Sequence, residues 1–272
     1  MINNKKNNNE DVLISIITVV YNGEEFLEKT IKSVINQTYK NIEYIIIDGD
    51  STDRTIEIIE KYKDKISYWV SEKDGGIYDA MNKGISIATG DFINFLNADD
   101  IIYKSNSIEN IVKDMVSKDS VYYSRASIIS DKVNWMYPNF EVKDYTKWIK
   151  LNLPNHQTMF FPKSFYKKYF YDLRLKIGAD DDYKLFALKN HNVKFIDLIF
   201  VEFQRGGVSS NHKNFKLFKQ RIKESFIRNF KHKRYFRLIL DPFKLILMFL
   251  IHSIFGEEIF LRFIKLVVKL KG

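Results

Sequence analysis

Apolar and polar positions alternate along the first hundred residues in blocks of two kinds. "LISIITVV" (13–20) and "IEYIIID" (42–48) are short β-branched runs without polar interruption, the pattern of strands buried on both faces. "ISYWVSE" and "DFINFLN" read as two further strands. Between them, "EEFLEKTIKSVINQT" places Leu27, Ile31 and Val34 on one helical face, and "STDRTIEIIEKY" starts as a capped helix. "IYDAMNKGISIA" is a third helix with Ile77, Met81, Gly84 and Ala88 in register. Strand and helix in alternation predict an α/β fold, a Rossmann-like and mostly parallel sheet covered on both faces.

The middle, about 101–205, is less regular. "SIENIVKDMV" predicts a helix, "SVYYSRASII" and "KVNWMYP" a hairpin about Ser130-Asp131, and "NLPNHQTMFFP" a turn entering a strand. "DDYKLFALKN" predicts a short helix opening on acids, and "VKFIDLIFVEF" a strand that ends the main domain at "RGGVSSN". The expected organisation is a polar tail over 1–10, one domain over 11–210 with halves at 11–100 and 101–210, and a basic helical extension over 211–272.

Charge sharpens that division. Residues 206–272 carry fifteen Lys and Arg against four Asp and Glu, whereas residues 1–205 carry 28 against 30. The excess therefore belongs to the C-terminal quarter, as a partner surface would require. Cys is absent, which excludes disulfides and thiolate metal sites. The polar, Asn-rich start "MINNKKNNNE" lacks the apolar run of a signal peptide or a membrane span.

Open α/β sheets bind ligands beyond the carboxyl ends of their strands. Tyr21-Asn22, Asp48, Asp74 and Asn97 to Asp100 all fall at such ends. No G-x-G-x-x-G follows the first strand and no G-x-x-x-x-G-K-[ST] occurs, which disfavours ordinary dinucleotide binders and P-loop NTPases. Adjacent carboxylates at a strand end, without His or Cys beside them, suit a hard divalent ion such as Mg²⁺ or Mn²⁺ bridging to phosphates. An isolated acidic pair more often caps the next segment; its place at the ligand rim favours the metal.

Three segments together, "ISIITVVYNGEEFLEKTIKSVINQTYKNIEYIIIDGDSTDRT", "SEKDGGIYDAMNKGISIATGDFINFLNADD" and "GADDDYKLFALK", resemble the family 2 glycosyltransferases, inverting enzymes of the GT-A fold that use nucleotide sugars. Within them the chain is most similar to the branch that builds bacterial surface polysaccharides. The resemblance implies a nucleotide-sugar donor, with Thr18, Tyr21 and Asn22 lining the base pocket and Asp48, shared with or replaced by Asp50, holding base or ribose. Asp74 and Asp79 would approach the donor. Asn97-Ala98-Asp99 takes the family's D-x-D position, leaving Asp99 and Asp100 as the metal ligands for Mn²⁺ or Mg²⁺.

The resemblance also implies a general base in "GADDDYKLF". Aligning Tyr183 with the family's aromatic position makes it Asp182, with Asp181 as its neighbour and Asp180 the third carboxylate. Three acids at a helix start also suit its dipole. His156 is a further candidate for donor phosphate or acceptor. Gln204-Arg205 lacks the Trp of processive synthases, which implies addition of a single sugar to a glycan or lipid-linked oligosaccharide. A nucleotidyltransferase of the same fold would need a basic triphosphate loop that "VVYNGEEF" lacks.

Between His212 and Arg237 ten Lys and Arg interleave with aromatics and one acid, Glu224. Such composition also occurs in RNA-binding modules, but the apolar "LILMFLIHSIFG" and amphipathic "EEIFLRFIKLVVKLKG" that follow read as an interfacial segment. The apolar run is about half the ~20 residues a span needs. The expectation is a cytoplasmic enzyme held at the inner face of a bacterial membrane through 212–272, without nucleic acid; a homodimer interface is the competing use of the tail.

Overall fold

A computed structural model describes residues 12–130, 133–140, 142–204 and 214–270. The tail expected over 1–10, the turn residue Asp131, Arg205-Gly206-Gly207 and His212 lie outside the described residues.

The chain runs β1 (Ile14–Val20), α1 (Leu27–Ile35), β2 (Ile42–Asp48), α2 (Thr55–Lys61), β3 (Tyr68–Ser71), α3 (Ile77–Ile87) and β4 (Phe92–Phe95). The short β5 (Ile101–Ile102) leads to α4 (Ser107–Asp114), β6 (Val121–Ile129), β7 (Trp135–Tyr137) and α5 (Tyr145–Leu151). A 3₁₀ turn, His156–Thr158, enters β8 (Met159–Pro162), followed by α6 (Lys163–Tyr166), α7 (Ala179–Asn190) and β9 (Val193–Gln204). Two helices close the chain, α8 (Phe215–Lys231) and α9 (Arg237–Leu270).

One sheet holds them in the order β3-β2-β1-β4-β8-β6-β9-β5, with β7 on β6. The first half is parallel throughout, Ile14 to Val20 pairing with Ile42 to Asp48 and Ile14 to Ile17 with Phe92 to Phe95. The second half is mixed: β8 runs antiparallel to β4 and β6, β5 antiparallel to β9, and β6 parallel to β9. The expected α/β sheet is thus parallel through β4 and again between β6 and β9, with antiparallel pairs at β8, β7 and β5. Strand alternation sends Ile14, Ile16 and Val20 to one face under α1, α2 and α4, and Ile17 and Val19 to the other under α3 and α7. Ile77, placed by the periodicity in the core face of α3, is instead half exposed at the helix start; Ala80, Met81, Gly84 and Ile85 are buried.

The extension is not a separate appendage. Phe218 of α8 stacks on Phe249 of α9 at 4.4 Å, and Asn229 donates to Asp241 at 2.9 Å, so the two helices pair antiparallel. Gly256 breaks α9 with φ 77°, a left-handed conformation that glycine takes without strain. Beyond the break Phe260 and Leu261 are fully buried, and the Phe260 ring lies 4.8 Å from His252. Arg237–Val267 is long and apolar enough, by length and composition, to cross a membrane, with 6% of its apolar window buried. The sequence reading confined the apolar run to 245–256; the helix starts eight residues earlier, at Arg237, and continues through Asp241-Pro242.

Candidate active site

The carboxyl ends of β1, β2 and β3 meet at one rim. After β1, Tyr21 is exposed and Asn22 adopts φ 50°; after β2, Asp50 adopts φ 69°. Asn and Asp tolerate this left-handed region better than other non-glycine residues. The two loops are stitched together, since Ser51 accepts from the Asn22 amide at 2.7 Å and Asn22 accepts from the Thr52 amide at 2.9 Å. Asp48 is fully buried beneath them, accepting from the Ser51 amide and hydroxyl and, at 2.6 Å, from Ser71. Its carboxylate therefore organises the loop, and the exposed Asp50 beside it is free to meet a ligand. Thr18 is also enclosed: it lies on the Ile14–Val20 face, fully buried, its hydroxyl 3.3 Å from that of Tyr44. It supports the rim from below and does not line it.

Asp74 and Asp79 sit at the start of α3. Asp74 accepts from the Gly76 amide at 2.8 Å and Asp79 from the Gly75 amide at 2.9 Å. A side chain at Gly49 would bring its Cβ to 2.7 Å from an Asp74 oxygen and 3.5 Å from the Tyr21 ring. Tyr21, Gly49 and Asp74, from three strand ends, thus form one wall.

The end of β4 separates the two adjacent acids. Asp100 is fully buried, with one oxygen accepting from the Gln157 amide at 2.9 Å and the other from the Gln204 backbone at 3.2 Å. Burial, reinforced by the charge of Asp99, pushes its pKa well above the usual carboxylate range. Asp100 is therefore not available as a metal ligand; it ties β4 to β8 and β9. Asp99 is only partly covered, is pushed up by burial, and accepts from nothing but its own backbone amide among the described residues. Asn97 near it has a buried Oδ1 without a hydrogen-bond partner among the described residues, and Ala98 turns its carbonyl inward to the Thr30 hydroxyl at 2.7 Å. Among the described residues no three His, Cys, Asp or Glu side chains converge on one point. One carboxylate and one unpaired amide oxygen fit a hard cation whose remaining ligands come from a diphosphate and water.

Three successive acids at the start of α7 point in three directions. Asp182 is buried, its oxygens 2.8 Å from Lys231 and from His232. Both its oxygens face α8 and its side chain is 2% exposed, so it is turned away from the rim. Asp181 is partly exposed and paired with Lys184 at 2.9 Å and Arg228 at 3.4 Å. Asp180 turns toward the rim: Lys184 lies 3.1 Å away, the Tyr78 hydroxyl 3.3 Å, and His156 Nδ1 3.6 Å. Burial raises its pKa, but the attraction of Lys184 and of His156 outweighs that and holds it well below the usual range. His156 packs edge-on against Phe95 of β4, ring centres 6.5 Å apart, and its Nε2 is buried without a partner among the described residues. Asp180 is in this way joined to the end of β4 through His156 and to the start of α3 through Tyr78.

Residues 15–174 match the model of the family described as glycosyl transferase family 2. An uncharacterized glycosyltransferase of Mycobacterium tuberculosis is 33% identical over 205 residues, covering 73% of this chain and 77% of its own. The chain belongs to glycosyl transferase family 2. An uncharacterized glycosyltransferase of Rickettsia typhi is 38% identical over 135 residues, 48% of this chain, but the match spans only 42% of that relative. Among solved structures, S. aureus TarS 1-349 in complex with UDP-GlcNAc superposes with a TM-score of 0.63 at 18% identity, over 78% of this chain and 65% of that one. A mannosyltransferase from Pyrobaculum calidifontis, PcManGT, solved with GDP-Man and Mn²⁺, gives 0.60 at 16% identity, over 82% and 64%. At these identities the superpositions establish the GT-A fold.

In this family 2 chain two residues that hold the segment leading into Asp180 escaped the sequence reading: Tyr78, which donates to the Ile177 carbonyl and lies 3.3 Å from Asp180, and Glu224, which accepts from the Lys176, Ile177 and Gly178 amides. Tyr78, in the donor-facing "GGIYDAMNKG", carries no motif of its own and is recognisable only from its contact. Glu224 had a signal, as the single acid among ten cations between His212 and Arg237.

Proposed function

We propose that the chain transfers one sugar from a nucleotide-diphosphate sugar to an acceptor hydroxyl with inversion, in bacterial surface-polysaccharide synthesis. The observation that carries this reading is an unpaired Asn97 Oδ1 and Asp99 at the end of β4, the strand end to which Asp180 is joined through His156. Tyr21, Asn22, Asp50, Asp74 and Asp79 take the nucleotide side. Asn97 and Asp99 would hold a divalent cation, which when bound neutralises the diphosphate as it leaves. Asp180 takes the acceptor's proton as its oxygen attacks the anomeric carbon from the face opposite the leaving group. The low pKa of Asp180 keeps it ionised throughout the physiological range, while an acceptor or donor that draws Lys184 or His156 away would raise its basicity toward what proton transfer needs. A donor panel scored for metal-dependent nucleoside diphosphate release tests the reading; a chain that binds sugar nucleotides but never releases diphosphate in the presence of acceptor would refute it.

The Tyr21–Gly49–Asp74 wall makes a separate expectation. Gly49→Ala forces the Asp74 carboxylate to swing away, because that carboxylate is the flexible end of the contact. Loss of one charge-assisted hydrogen bond costs about 1.5–3 kcal/mol, so nucleotide affinity falls roughly tenfold or more while the melting temperature barely moves. Titration of nucleoside diphosphates into both proteins reads this. Equal affinities would remove Asp74 from the donor site.

The acceptor on this reading is a lipid-linked oligosaccharide at the inner membrane face, reached by an enzyme lying on an anionic bilayer. Phe236, Ile239, Phe243 and Ile254 are each at least 67% exposed, and Lys and Arg flank them. The break at Gly256 and the burial of Phe260 against His252 favour a folded-back hairpin lying in the headgroup layer over a straight span. Flotation with vesicles should rise with anionic lipid and fall only partly in high salt. Deleting 236–272 should abolish it. An intact protein that ignores vesicles but forms a dimer lost on truncation would make this surface a subunit interface.

A further inference from the structure

Helix α7 begins at Gly178 without a side-chain cap of its own. The amides just before it are instead satisfied from the extension. Glu224 of α8, 1% exposed, accepts from the Lys176 amide at 2.7 Å with one oxygen, and from the Ile177 and Gly178 amides at 3.0 and 2.8 Å with the other. Gln220 donates to the first oxygen at 2.6 Å. Three successive backbone amides aimed at one carboxylate make a nest, the arrangement in which main-chain donors grip an anion.

Ile177 is held from both sides. Its amide goes to Glu224, and its carbonyl accepts from the Tyr78 hydroxyl at 2.7 Å. That same hydroxyl lies 3.3 Å from Asp180, less than one helical turn further on. The position of the Asp180 carboxylate is therefore set by a three-part contact: α3 through Tyr78, α7 itself, and α8 through Glu224. Arg228, one turn beyond Glu224, adds an ion pair to Asp181 at 3.4 Å.

We propose that Glu224 is a positioning residue for sugar transfer, which fixes the segment Lys176–Gly178 and through it the catalytic carboxylate. The inference rests on the assignment of Asp180 as base. It makes α8 an active-site element, so that the extension serves catalysis as well as attachment. Glu224 touches neither donor nor acceptor, and its effect is read in the placement of a group that does.

The test uses the full chain with a water-soluble acceptor. Glu224→Gln keeps the size but turns an amide N–H₂ toward backbone donors, and Glu224→Asp keeps the charge on a shorter arm. A misplacement on the order of 1 Å costs up to about 10²-fold in rate. The expected result is a kcat lowered about tenfold or more in Glu224→Gln with the donor KM little changed, and an intermediate loss in Glu224→Asp. Because Tyr78 holds the same peptide, Tyr78→Phe and Glu224→Gln combined should lose less than the product of their separate effects. A wild-type kcat in Glu224→Gln overturns the proposal. So does a loss that vanishes once rates are scaled to the folded fraction by circular dichroism, or a loss strictly multiplicative with Tyr78→Phe. Asp180→Asn measured alongside separates the two readings: if it transfers normally the base assignment fails, and a kcat loss in Glu224→Gln then still supports positioning, of another group on the segment.

Discussion

Asp180→Asn should abolish transfer while nucleotide binding survives. The amide keeps the size and part of the polarity of the carboxylate, so the contacts with Tyr78 and Lys184 change little in shape. What it loses is the capacity to take a proton, and removing one general base costs about 10²–10⁴-fold in rate. The comparison that gives this result meaning is Asp182→Ala. That change leaves Lys231 and His232 facing an empty place, and breaking a buried ion pair costs about 3–5 kcal/mol. Lys231 keeps some contact with solvent and with Asp172, which argues for the lower end. Asp182→Ala should therefore lower the melting temperature and the yield, while the molecules that remain folded turn over. Asp180→Asn also carries a pH signature. Its folded pKa is depressed, so the stability it contributes is present above the unfolded value near 3.9 and is lost as pH falls through the folded value. The variant should lack that contribution at neutral pH and converge on the native protein in strong acid. A normal rate in Asp180→Asn with a dead, well-folded Asp182→Ala would restore the alignment that puts the base at Asp182.

The contrast between these two acids also shows where sequence stops being sufficient. Consecutive residues on a helix point about 100° apart, so Asp180, Asp181 and Asp182 sweep across a little over half a turn. Which one faces the cleft depends on what covers the others. Lys231 and His232 do that for Asp182 from 49 and 50 residues away, a contact no local pattern encodes. Asp99 and Asp100 are the same case, since Asp100 is claimed by Gln204, 104 residues distant. The strands were legible because uninterrupted Ile and Val runs have few other uses, and α1 and α3 because their apolar spacing matches a helical face. The two-residue β5 has no periodicity to read, and α5 is too short to show one. The switch from parallel to mixed pairing at β8 follows from the connections beyond β4, not from any strand's composition. Tyr21 and Asp74 could be placed at the rim from the strand ends alone, whereas the close approach of both to Gly49 and the burial of Thr18 against Tyr44 on β2 could not.

Asp99→Ala and Asp100→Asn should part company in both metal response and stability. Asp99 is the carboxylate of the pair that, among the described residues, meets no other residue's donor, and on the proposed reading it meets the cation and, through it, the leaving diphosphate. Losing one preorganised electrostatic contact to developing charge costs about 10²–10³-fold in kcat. Mn²⁺ should likewise cease to strengthen nucleoside diphosphate binding in Asp99→Ala, and chelation of the native protein should reproduce that loss. Asp100 behaves otherwise because the fold raises its pKa. For a carboxyl the fold then favours the protonated form: any ionisation penalty is absent below the unfolded pKa near 3.9 and grows as pH rises from there toward the folded value. Asp100→Asn removes that penalty, and a flipped Gln157 amide can present its oxygen to the new N–H₂ group. The variant should keep its metal response and melt at or above the native temperature at pH 7, with the advantage gone near pH 4. Titration calorimetry of nucleotide with and without Mn²⁺, alongside melting curves across that pH range, reads both properties. Full transfer by Asp99→Ala, or by native protein stripped of metal, would end the metal assignment at this strand end. A metal response lost equally in Asp100→Asn would mean that Asp100 turns out of its pocket when donor binds.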